Sequence, residues 1–136
     1  MKFLLDTNAW IGFLRAKDSG LVDRIRRTAP SEIALCSVVI GELVYGAIRS
    51  QREAHNLGLI ANLRQKFQSL PFDDRAGEIY GRLRAQLAAV GTPIGPNDLL
   101  IAAIALANGL TVVTHNVTEF RRIPLLSVID WQAGSA

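Results

Sequence analysis

At 136 residues with a formal net charge of +3, 49% hydrophobic and 20% charged, the chain can bury a core without disulfides or a structural metal, which excludes a disordered chain. Asp6 follows only three apolar residues, too soon for a secretory leader, and no run approaches the roughly 18 apolar residues of a membrane span, so a soluble cytoplasmic protein without a membrane partner is expected, folded as one domain over 1–136. Twelve arginines against three lysines and a pI near 9.5 favour flat, bidentate contacts to phosphate or carboxylate and permit nucleic acid without identifying it.

Lys2 to Asp6 is a short unbroken apolar run, which predicts a central strand covered on both faces. Asp6-Thr7-Asn8 brings turn and capping chemistry to a helix through Trp10, Ile11, Phe13 and Leu14, and a second helix is expected over about 20–28, ended by Pro30-Ser31. Ile33 to Ser37 reads as the second strand, with the one cysteine, Cys36, as a small core residue rather than a reactive thiol. A helix over about 38–49 follows, capped by Ser37 and carrying Glu42 in its early part.

Leu57, Leu59, Ile60, Leu63 and Phe67 have near-helical spacing, predicting a long amphipathic helix over 51–68. Leu70-Pro71-Phe72 can form only a very short edge strand, because proline donates nothing to a ladder. Asp73 should cap a helix over about 74–90 that Gly91 stops. Pro96-Asn97-Asp98 opens a helix apolar almost all round, hence buried, which Asn108-Gly109 ends. Thr111 to Thr114 is a β-branched strand, a loop holding His115, Asn116 and Glu119 comes next, and a last strand runs from Leu126 to Ile129. Strand and helix alternate, which predicts an α/β fold of three layers, α/β/α, around a central, mainly parallel sheet of about five strands.

On that plan Asp6, Glu42 and Asp98 converge. Each taken singly has a dull explanation: Asp6 as a turn and cap, Glu42 as a solvated helix charge, Asp98 as an acid favoured by the helix dipole. Jointly they fall at the carboxyl edge of the sheet, where the first and fourth strands should be neighbours. Three carboxylates held close raise one another's pKa unless a cation compensates them. Oxygen-only ligation suits Mg²⁺, or Mn²⁺ as a substitute, and argues against zinc. Asn116 or Glu119, both past the fourth strand, could complete the shell. Asp73 and Asp74 read as caps, and Asp18, Asp23, Glu32, Glu53 and Glu78 as solvated charges. Gly41 and Gly46 have P-loop spacing, but Ala47-Ile48 replaces the lysine and hydroxyl that loop needs. Neither His55 nor His115 has the serine context of a nucleophile elbow, although His115 could touch substrate.

Four segments together resemble one family: Leu4-Leu5-Asp6-Thr7-Asn8; Ser37 to Gly46 around Gly41-Glu42-Leu43; Pro96-Asn97-Asp98-Leu99-Leu100; and Val113-Thr114-His115-Asn116 with Glu119-Phe120 and Ile123-Pro124. In this order and spacing, over nearly the whole chain, they are similar to the PIN-domain family, most of all its VapC-type ribonuclease toxins. The resemblance implies a PIN-like fold and a metal-dependent endoribonuclease with Asp6, Glu42 and Asp98 as its acidic core, and Thr7, Asn8 and Thr114 orienting those acids. Many relatives carry an aspartate where this chain has Asn116, while similar short toxins use an acid at the position of Glu119, so the fourth ligand is open, as is one metal or two. The implied reaction is phosphodiester hydrolysis leaving 5′-phosphate and 3′-hydroxyl ends, with backbone contacts from among Arg49, Arg82, Arg84, Arg121 and Arg122. A VapB-like antitoxin whose arginine reaches the carboxylates is the implied restraint, in a toxin–antitoxin hetero-oligomer built on a homodimer. The apolar residues of Trp10 to Leu14 and Leu57 to Phe67 serve the core first and a partner face second.

Two other functions compete. Asp6 at the end of a first strand is similar to haloacid-dehalogenase-type phosphatases and response-regulator receivers, but Asn8 stands where the second acid of Asp-x-Asp belongs. A non-catalytic RNA- or protein-binding module would keep the fold without needing three intact acids.

Overall fold

Five strands form one sheet in this computed structural model, which describes residues 1–132. Residues 133–136, the end of the expected domain, lie outside the described residues. The strands are β1 (Phe3–Leu5), β2 (Ile33–Cys36), β3 (Gln68–Leu70), β4 (Thr111–Val113) and β5 (Val128–Ile129), ordered β3-β2-β1-β4-β5 with every pairing parallel. Successive strand residues face opposite sides of a sheet. Leu4 and Leu5 of β1 are both fully buried, as are all four residues of β2, so both faces are covered and the architecture is the expected three-layer α/β/α sandwich.

The covering helices are α1 (Thr7–Leu14), α2 (Ser19–Arg27), α3 (Ser37–Ile48), α4 (Glu53–Lys66), α5 (Asp74–Ala89), α6 (Pro96–Asn108) and the single turn α7 (Val117–Phe120). The apolar stretch of α6 is buried from Ile101 to Ala105, as its sequence requires. Trp10 of α1 has no exposed surface and meets Phe67 edge-on at 4.9 Å, which ties the start of α1 to the segment leading into β3. At Gly12 a β-carbon would come within 3.1 Å of Leu21 Cδ2, so the missing side chain lets α1 and α2 approach. Gly109 ends α6 with φ 66, and the Leu110 amide donates back to Ala105 O at 2.9 Å, a closure that a left-handed residue makes possible.

Several expectations are corrected. The edge strand is Gln68–Leu70 rather than 70–72, because Pro71 terminates pairing instead of joining it. Ser37 does not cap α3: β2 runs through Cys36, which is the N-cap, and the Ser37 hydroxyl turns toward Leu70 O, 3.5 Å away. Asp18 is no free surface charge but the cap of α2, accepting from the Leu21 amide at 2.9 Å. The residues after β4 are not all loop, since Glu119 belongs to α7. The last strand shrinks to two residues because Leu125, at φ 66, and the contact of the Leu126 amide with Ile123 O keep the chain turning past Leu126.

Candidate active site

The parallel register of β1 and β4 sets Leu5 beside Val113, so Asp6 and Thr114, the residues that follow, meet at the carboxyl edge. Thr114 Oγ1 donates to Asp6 Oδ2 at 2.5 Å, and the Ala9 amide donates to Oδ1 at 2.9 Å, so one carboxylate both caps α1 and bridges to β4. Hydrogen bonds to a charged partner contribute about 1.5–3 kcal/mol. Asp6 is 4% exposed. Burial pushes its pKa up, Thr114 and Ala9 pull it down, and the nearby charges of Glu42 and Asp130 add to the rise.

The other acids arrive from three different elements. Glu42, in the second turn of α3, accepts from Thr7 Oγ1 at 2.5 Å. Asp98 stands in the first turn of α6, where burial first, then the charges of Glu119, Asp6 and Glu42, push its carboxyl up to about 6. Glu119 is held by two donors, the Gly95 amide at 2.5 Å and Asn116 Nδ2 at 2.7 Å, and these keep its pKa below the usual glutamate value. Asn116 Nδ2 also lies 3.5 Å from Asp98 Oδ2, and the Asn116 amide donates to Thr114 Oγ1 at 2.9 Å. Thr114 therefore links Asp6 to the Asn116–Glu119 pair through a single oxygen.

Asp6, Glu42, Asp98, Asn116 and Glu119 thus share one edge, with Thr7 and Thr114 bonded to two of the acids. Asn8 is exposed in the first turn of α1, and no bond links it to them among the described residues. His115 turns to Asp130, Nδ1 to Oδ2 2.8 Å. Sequence reasoning passed over Asp130, although it follows the last strand just as Asp6 follows the first; that repeated position was the available signal. It also missed the Gly95 amide, which no side-chain pattern can reveal. Of the arginines, Arg82 pairs with Glu78 and Arg49 with the Tyr45 hydroxyl, while Arg122 donates to Pro93 O at 3.3 Å and attracts Glu119.

The donor set is all oxygen, and among the described residues no lysine or arginine forms a salt bridge with Asp6, Glu42 or Asp98. Such unneutralised acids fit a hard divalent cation. Among the described residues, no three His, Cys, Asp or Glu side chains stand close enough to make a ready cage. An aspartyl-phosphate route lacks its second acid, because Asn8, exposed in the first turn of α1, stands where Asp-x-Asp chemistry needs a carboxylate.

The family model for the PIN domain matches residues 3–126. The chain is 37% identical over 131 residues to the tRNA(fMet)-specific endonuclease VapC of Salmonella typhimurium, covering 96% of this chain and 98% of that one. It is 33% identical over 132 residues to the ribonuclease VapC2 of Rickettsia felis, with the same coverage. The crystal structure of DNA-bound VapBC from Salmonella typhimurium superposes with a TM-score of 0.90 at 37% identity, over 96% of this chain and 98% of that one.

Proposed function

The chain belongs to the PIN domain family, and from that premise we propose that it is the toxin of a VapBC-type toxin–antitoxin pair, an endoribonuclease that hydrolyses RNA phosphodiester bonds. Its near full-length likeness to named VapC ribonucleases supports the activity. The observation that carries the site assignment is that Asp6 after β1, Asp98 of α6 and Glu119 of α7 meet at one sheet edge, joined through Thr114 and Asn116. Acids gathered from separate elements at one sheet edge, with no lysine or arginine in salt-bridge contact with Asp6, Glu42 or Asp98 among the described residues, suit a cation and a phosphate.

Asp6, Glu42 and Asp98 would hold a divalent cation, Mg²⁺ in the cell, with Glu119 completing the set and Asn116 steering Glu119 and Asp98. Bound there, such an ion supplies charge neutralisation at the phosphate and makes water a better nucleophile at neutral pH. The protein's part is placement. Thr114 and the Ala9 amide fix Asp6 in one rotamer, Thr7 fixes Glu42, and Gly95 with Asn116 fix Glu119. Asp98, whose carboxyl burial and the neighbouring acids push up to about 6, would be held ionised by a cation beside it. Arg122, beside the acids, offers a donor to the RNA backbone.

The partner is a VapB-like antitoxin. A cavity of about 320 Å³ between α1, α3 and α4 has Ile11, Leu43 and Ile60 in its walls and Arg15, Arg52 and His55 at its rim, a receptor for apolar side chains of an acidic segment, while an antitoxin arginine would neutralise the acid edge. No helix among the described residues is long and apolar enough to cross a membrane, and a single nuclease domain over 1–136 acting on cytoplasmic RNA completes the reading.

The test is cleavage of total cellular RNA by antitoxin-free protein in Mg²⁺ or Mn²⁺, beside Asp6→Asn, Asp98→Asn and an EDTA control, with tRNA(fMet) included because the Salmonella relative is named for it. Discrete cuts ending in 5′-phosphate and lost in all three controls are expected. Cuts that persist in both variants would remove the site assignment, and folded protein that binds RNA without cutting any would favour a binding module.

A further inference from the structure

A second cavity of about 320 Å³ lies between α5 and the segment leading into α6, with Tyr80, Arg84 and Ala88 on one wall and Pro93, Ile94 and Pro96 on the other. We propose that this cavity is a nucleobase subsite, which takes one unpaired RNA base beside the bond that is cut. The inference rests on the ribonuclease reading and assigns a place to the substrate outside the acid cluster.

Size and chemistry point to a base. The volume sits at the bottom of the range for small-molecule sites, room for one flat ring system and too little for a duplex or a helix. Tyr80 supplies an aromatic face, steadied by edge-on packing against Phe72 at 6.0 Å and by a bond from Arg84 to its hydroxyl at 3.2 Å. Stacking of this kind is a main source of affinity for single strands, and differences in its strength among the bases give a modest base preference. Arg84 brings charge complementarity, because it is exposed and, among the described residues, has no carboxylate partner, unlike Arg82 with Glu78 or Arg27 with Asp23.

Continuity with the acids fixes which base. Pro96 lines the cavity and Asp98 lies two residues on, in the same first turn of α6. The amide of Gly95, the residue just before Pro96, binds Glu119, and a β-carbon at Gly95 would lie 3.5 Å from Glu119 Oε1 and 4.0 Å from Asp98 Oδ2. One short segment therefore has the cavity on one side and the acid edge on the other. Arg122, bonded to Pro93 O, stands at that border, where the phosphate joining the two nucleotides would pass. Only an unpaired base can swing out of its strand into such a recess.

The decisive variant is Ala88→Trp, which fills the cavity from an exposed helix position, beside Tyr80→Ala and the conservative Tyr80→Phe. Binding of labelled homopolymer RNA octamers is measured on the complete chain carrying Asp98→Asn, which cannot cut them, and cutting is measured on the chain with Asp98 intact. Ala88→Trp and Tyr80→Ala should each weaken the preferred octamer roughly 5- to 100-fold, with Tyr80→Phe within about threefold of the parent. In the cutting chain they should raise KM and change the base preferred next to the cut while kcat holds. Unchanged octamer binding and unchanged base preference in Ala88→Trp would overturn the subsite, as would a variant that alters only self-association in sedimentation, which would make the cavity a contact between copies. A parent that cuts RNA while octamers ignore the cavity retains the nuclease and loses the subsite; a parent that never cuts while octamers respond retains the subsite and loses the nuclease.

Discussion

Replacing Asp98 with Asn should stabilise the metal-free protein while it abolishes cleavage. Burial and three neighbouring acids lift the Asp98 carboxyl from 3.8 to about 6; at about 1.4 kcal/mol per unit, keeping it ionised near pH 7.5 costs the fold about 3 kcal/mol. The group is partly open to water, and screening reduces that to about 1–2 kcal/mol. The sign follows from linkage: a carboxyl whose folded pKa exceeds its unfolded one contributes stability that is full below 3.8 and is lost as pH rises through about 6. Asparagine has the same shape without the charge, so the cost vanishes. Thermal unfolding by circular dichroism in EDTA should show the variant melting about 3–8 °C above the parent near pH 7.5, with the gap narrowing as the pH falls below about 5. Adding Mg²⁺ should then raise the parent more than the variant. A variant that melts below the parent near pH 7.5, or an equal gap at acid pH, would refute mutual repulsion at this edge.

Thr114→Val removes a donor to buried Asp6 and an acceptor for the Asn116 amide; urea unfolding should show a loss of about 2–3 kcal/mol, with cleavage falling at least tenfold, and an unchanged midpoint would deny the bond any structural weight. Gly109→Ala forces a β-carbon onto φ 66 and should cost about 1 kcal/mol in the same assay with kcat untouched. The Cys36 thiol, pushed up to about 11 chiefly by burial, should resist a disulfide reagent near pH 8 until denaturant opens the core, and rapid labelling of folded protein would contradict its burial.

Much of the edge was legible because parallel α/β topology converts sequence position into location. Asp6 and Asp98 each border a predicted element, and the neighbouring of the first and fourth strands brought them together on paper as it does in space. Asp73 was legible as a cap for a purely local reason, accepting from the Ala76 amide three residues on. What escaped depends on partners far along the chain. Nothing near Ser37 announces that its hydroxyl will face Leu70 O, and nothing near Glu119 announces a backbone donor 24 positions earlier. Asp18 escaped for the opposite reason: its cap is local, but a lone acid after Lys17 looks the same whether it closes a helix or meets only water.

The bond between Thr114 and Asp6 joins residues 108 positions apart, and that span has a consequence during synthesis. A ribosome releases the chain from its amino end at about 5–20 residues per second, so Asp6 is free long before β4 exists. Until residues 111–113 emerge and pair with β1, Asp6 lacks its fixing donor and the edge lacks Asn116 and Glu119. A nascent chain arrested before Thr111 should therefore leave RNA uncut, and the acid edge is complete only once residues 111–119 have emerged.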